Sequence, residues 1–67
     1  MKSRDVIKKI NAAGWYEVRV KGSHHQFKHP TRKGLVTVPH LENDLPKGTL
    51  RSIERQSGVK LVESPSV

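Results

Sequence analysis

The feature that most constrains this chain is a change of hydrophobic period at Gly14. Before it, Val6, Ile7, Ile10 and Ala13 recur at helical spacing; after it, Tyr16, Val18 and Val20 alternate with Glu17, Arg19 and Lys21. The first pattern belongs to an amphipathic helix and the second to a strand with two unlike faces. Ser3 is a candidate N-cap and Asp5 complements the helix dipole in the first turn, while Arg4, Lys8 and Asn11 lie outside the apolar stripe. Gly14 reaches the left-handed conformation that stops a helix abruptly, so it separates the two elements.

The rest of the chain continues in short elements. Lys21, Gly22 and Ser23 read as a turn, and His24 to His29 as a second strand. If Phe27 faces the core, His25 and His29 point with it, and His24, Gln26 and Lys28 take the opposite face. Pro30 to Gly34 form a turn with Arg32 and Lys33 at its tip, Leu35 to Val38 a third strand with Val36 and Val38 inward, and Pro39 its end. In the connector from His40 to Pro46, Leu41 and Leu45 can tuck inward while Glu42, Asn43 and Asp44 stay wet. A second helix starts between Pro46 and Thr49, with Asp44, Gly48 or Thr49 as cap. It runs to about Ser57 on the anchors Leu50 and Ile53, stops at Gly58, and lets Val59 and Leu61 pack back. The fold class is α+β in the order α-β-β-β-α, a three-stranded antiparallel sheet with both helices on one face. A single domain spans 1–61, and 62–67 read as a flexible C-terminal tail.

At 67 residues the chain has a thin core, and without cysteine it has neither disulfides nor thiolate metal sites to reinforce it. A cysteine-free chain fits a reducing cytoplasm. No segment approaches a membrane span, and the charged N-terminus lacks the apolar stretch of a secretory signal. Thirteen Lys and Arg against six Asp and Glu leave a net charge of +7, which favours a polyanionic partner, a nucleic acid foremost.

Four histidines invite a metal reading, which the spacing opposes. His24 and His25 point to opposite faces of one strand, and His25 and His29 stand roughly 13 Å apart along it. His40 supplies at most a second ligand, so neither a metal nor another cofactor is implied. There is no nucleophile elbow, P-loop or paired carboxylate, and Glu17 is alone on its strand. A histidine among cations is a different proposition. Cleaving RNA without a metal requires a base for the ribose 2′-OH, an acid for the leaving 5′-oxygen and positive charge around the phosphorane. Imidazole serves either end of that proton transfer. His24 shares its open face with Arg19, Lys21 and Lys28, which can hold phosphate; Gly22 admits close backbone approach, and amides of the Gly22-Ser23 turn can add donors.

Each of these groups also has a plainer reading. His24 is equally an exposed polar strand residue, and Arg32 and Lys33 a solvated turn. Lys47, Gly48 and Thr49 at a helix start either bind phosphate or simply cap. Trp15 and Tyr16 are more often packing groups than base-stacking platforms, and His25 and His29 are more often structural.

Three runs taken together resemble one family. They are Gly22-Ser23-His24-His25-Gln26-Phe27-Lys28-His29-Pro30, the Lys9-to-Trp15 run ending in Ala12-Ala13-Gly14-Trp15, and the run from Pro46 through Lys47, Gly48, Thr49 and Leu50 to Gly58. In this order and at these distances they resemble the HicA mRNA interferase toxins over about residues 2 to 61. The resemblance implies a double-stranded-RNA-binding-domain-like fold and an endoribonuclease that cuts mRNA. It also implies a HicB-type antitoxin that covers the active surface. By the family pattern the catalytic histidine follows the Gly-Ser pair, which is His24, with His25 as second choice. The rival class is a non-enzymatic module that grips RNA by shape with the same basic face and has no need of His24. A third is an inactive relative that only engages its antitoxin.

Overall fold

The computed structural model describes residues 1–40 and 44–61. Its elements follow the expected order: α1 (Ser3–Ala12), β1 (Tyr16–Lys21), β2 (His24–Lys28), β3 (Val36–Pro39) and α2 (Lys47–Ser57). The strands form one antiparallel sheet in the order β1-β2-β3, so β2 is central. The expectations for Leu41, Glu42, Asn43 and the 62–67 tail lie outside the described residues.

α1 ends in a double-bonded stop. The Gly14 amide donates to the Asn11 carbonyl at 3.0 Å and the Trp15 amide to the Ile10 carbonyl at 3.0 Å, with Gly14 at a φ of 104°. That pair of bonds satisfies carbonyls the helix would otherwise leave open. Trp15 and Ile10 are both buried, which carries the chain from the helix into the core. At the other end Ser3 is not the cap: Lys2 holds that position in extended conformation, and Ser3 is a buried residue of the first turn. Ala13, expected in the apolar stripe, is exposed, because the stripe stays against the core through Val6 and Ile10, with Ile7 packed at its margin. At α2 the cap position is Pro46 rather than Asp44, Gly48 or Thr49, and Gly58 ends the helix in the left-handed region as expected.

Phe27, Val36 and Val38 cover one face of the sheet, and Val6 and Ile10 of α1 with Leu50 and Ile53 of α2 close over them. Trp15, Leu45 and Leu61 complete this core. Both helices therefore lie on the Phe27 side, and the opposite side stays open.

β1 departs from the simple alternation. The register pairs Glu17 with Phe27 but Arg19 with Gln26, leaving Val18 as an extra residue in a bulge. Cross-strand partners share a face, so the bulge turns Tyr16 and Arg19 to the same side and sends Glu17 to the other. Alternation had grouped Tyr16 with Val18 and Val20, and Glu17 with Arg19. β1 also overhangs the helices: every one of its residues is exposed, including Val20 at 50%. Its core contribution is nil because the helices cover β2 and β3, and the bulge, Arg19 and Lys21 blunt the free edge that remains.

Candidate active site

The open face is built in three cross-strand rows. Lys21, His24 and Pro39 form the first, Arg19, Gln26 and Thr37 the second, and Tyr16 with Lys28 the third. The first row owes its geometry to the hairpin: β1 ends at Lys21, β2 starts at His24, and only Gly22 and Ser23 lie between. A two-residue hairpin needs a positive φ at its first central residue, and Gly22 has 60°. A side chain at Gly22 would meet nothing within 4 Å, so the turn stands open to a ligand. The His40 amide donates to the Ser23 carbonyl at 2.7 Å, tying the turn to the end of β3. His24 thus sits in the central strand, fixed between a lysine and a proline, with its ring exposed.

The other three histidines are engaged elsewhere. His25 lies on the helix side, where Nδ1 contacts Glu17 Oε1 and the ring packs on that of His40 at 4.5 Å. The carboxylate that alternation left alone on its strand reaches His25 because the Val18 bulge swings it over. β2 ends before His29, which was expected inside the strand. The His29 ring instead bridges two loops: Nε2 donates to the Ala13 carbonyl at 3.0 Å, and Nδ1 accepts from the amides of Thr31 at 3.1 Å and Arg32 at 3.3 Å. Those partners assign the Nε2–H tautomer and occupy both nitrogens. The ring also meets Trp15 edge-on at 5.2 Å. Among the described residues no side chain hydrogen-bonds to the His24 ring, and no group of three or more His, Asp or Glu could hold a metal ion.

The cations divide in the same way. Lys21 is the direct neighbour of His24, Arg19 is one row away, and Lys28 is four strand positions along, roughly 13 Å by strand rise. Lys47 opens α2 in the helix layer, on the other side of the sheet from these rows. Arg32 is drawn to a structural position, since a Cβ built on Gly58 would fall 2.6 Å from its guanidinium nitrogens. A cation there faces the negative end of the α2 dipole. Trp15 is 2% exposed and gives its indole N–H to the Ser57 carbonyl at 3.1 Å, so it is a packing group. Alternation missed Tyr16 on the open face, because no residue type announces the Val18 bulge; Thr37, between the inward Val36 and Val38, is placed there by the alternation of β3 itself.

Residues 3–59 match the family described as HicA toxin of bacterial toxin-antitoxin. A solved structure described as the HicA3 and HicB3 toxin-antitoxin complex is similar at a TM-score of 0.80 and 32% identity, over 92% of this chain and 100% of that one. No curated protein matches. No helix of the described residues is long and apolar enough to cross a membrane.

Proposed function

This chain belongs to the HicA toxin family of bacterial toxin–antitoxin systems, and from that premise we propose that it is an endoribonuclease that cleaves mRNA through His24. The observation that carries this reading is the sorting of the four histidines. His25 and His29 are held by Glu17 and by the Ala13 carbonyl, and His40 packs on His25, while His24 alone stands on the cationic open face.

In this reading the His24 imidazole takes the proton of a ribose 2′-OH as the 2′-oxygen attacks the adjacent phosphorus. The bond from phosphorus to the 5′-oxygen breaks, and that oxygen receives a proton. The products carry 2′,3′-cyclic phosphate and 5′-hydroxyl ends, and the step calls for no metal ion. Lys21, the cross-strand neighbour of His24, compensates charge on the phosphorane and is better placed than Lys28 to supply the leaving-group proton. Amides of the Gly22-Ser23 turn add donors, while Arg19 and Lys28 hold phosphates further along. The site of action is the cytoplasm, where mRNA is found. The partner is a HicB-type antitoxin, as in the similar complex, whose acidic surface would complement the +7 charge.

The test is inducible expression of the parent and His24→Ala at matched abundance, with total RNA searched for new 5′-hydroxyl ends. Growth arrest and new ends in the parent alone are expected. Equal cleavage in both would move the chemistry away from His24, and 3′-hydroxyl products would overturn the cyclic-phosphate route. Folded parent protein that binds RNA without cutting it would support a binding module instead.

A further inference from the structure

The chain has one Trp, one Tyr and one Phe, and the fold spends two of them on the core: Trp15 is 2% and Phe27 is 1% exposed. Tyr16 is 49% exposed, and the Val18 bulge turns it onto the open face, opposite Lys28 and next to the row that holds Arg19. It stands roughly 13 Å along the sheet from His24, by the rise over four strand positions.

We propose that Tyr16 is a stacking platform for an unpaired base of single-stranded RNA, a few nucleotides from the phosphate held at His24. This rests on the reading of the open face as the RNA-cleaving surface and names the form of RNA it takes. An aromatic ring on a sheet face, flanked by cations that track the backbone, is the arrangement by which proteins hold single strands. In a duplex every base already stacks on its neighbours and pairs across, so no base face is free for the tyrosine. Lys28 and Arg19 on either flank neutralise the phosphates that lead toward Lys21 and His24. The face therefore selects unpaired RNA by stacking and leaves sequence choice to weaker contacts, with Gln26 and Thr37 the polar groups in the middle row.

The experiment uses the full chain carrying His24→Ala, which keeps RNA intact, and measures binding to a fluorescent single-stranded RNA and to a duplex of the same sequence. Tyr16→Ala should weaken single-strand binding roughly five- to a hundred-fold and duplex binding little, while Tyr16→Phe keeps the parental affinity. An abasic scan of the oligonucleotide should find one position where losing the base costs the Tyr16 protein as much, and the Tyr16→Ala variant nothing further. The position of the loss is read on the intact tyrosine, and retained duplex binding by Tyr16→Ala shows that this variant is folded. Unchanged binding by Tyr16→Ala, or an equal loss on single strand and duplex, would overturn the stacking role while leaving cleavage through His24 standing. A loss of antitoxin binding alone would reassign the ring to a protein interface, and failure of the chain to bind any RNA would overturn both readings.

Discussion

Trp15 Nε1 donates to the main-chain carbonyl of Ser57 across 3.1 Å, joining the residue that precedes β1 to the last turn of α2. Forty-two positions separate the two in sequence, so the bond closes the helix layer over the sheet. Both residues are buried, and the indole N–H satisfies a carbonyl in the last turn of the helix. Trp15→Phe keeps most of the apolar area and removes the donor, which should cost about 1–3 kcal/mol of stability. Trp15→Ala also empties the core and should cost about 3–5 kcal/mol. Urea unfolding of the three proteins measures both steps, and equal stability of Trp15→Phe and the parent would show that the bond contributes nothing net.

The histidines should separate by what each loses. His29→Ala deprives the Ala13 carbonyl and the Thr31 and Arg32 amides of their partner, and should destabilise the fold by about 1–3 kcal/mol. His24 is exposed, so His24→Ala should leave stability within about 0.5 kcal/mol of the parent while abolishing cleavage. His25→Ala breaks the contacts with Glu17 and His40 on the helix side and should keep cleavage. Denaturation midpoints and a cleavage assay on the three purified variants give the comparison. Loss of cleavage in His25→Ala at full stability would shift the chemistry to the second choice of the sequence reading.

Two glycines with positive φ should respond differently to alanine. At Gly14 the added Cβ meets His29 Nε2 at 2.7 Å, on top of a φ of 104°. At Gly22 the φ is 60° and the space is open. Gly22→Ala should therefore cost only the left-handed strain, about 1–2 kcal/mol, and Gly14→Ala clearly more, because it also displaces the His29 bridge. Unfolding free energies of the two variants decide it, and a smaller loss at Gly14 would contradict this account of the bridge.

The fold and part of the candidate site's geometry were legible because they follow from short-range rules. Gly14 stops a helix wherever the apolar period changes, and Gly22 with Ser23 makes a hairpin whose two-residue length puts Lys21 opposite His24. The three runs that resemble the HicA toxins all fall within the residues 3–59 that match the family, and the α-β-β-β-α order stands. What could not be read was set by tertiary context. The extra residue at Val18 inverts the facing of Tyr16 and Glu17 without any special residue type to announce it. Ser3 looks like a cap and is a buried first-turn residue, because burial, not propensity, placed the helix start. The amphipathic look of β1 did not imply burial either, since the helices do not extend over it.

Salt dependence should show which cations touch RNA. Each phosphate neutralised on a single strand contributes about 0.7 to the slope of log affinity against log salt. In the His24→Ala background, which binds without cutting, Lys21→Ala, Arg19→Ala and Lys28→Ala should each flatten that slope by about one such contact. Arg32→Ala should leave it nearly unchanged, because its guanidinium lies over Gly58 at the end of α2 rather than on the open face. Lys47 is the sharper case: its position at a helix start suggested phosphate binding, yet it stands in the helix layer, away from the three cross-strand rows. A slope unaltered by Lys47→Ala would confine the RNA track to the open face. A slope flattened as much as by Lys21→Ala would mean that the strand wraps the sheet edge and reaches α2, and the footprint would then cover both layers of the fold.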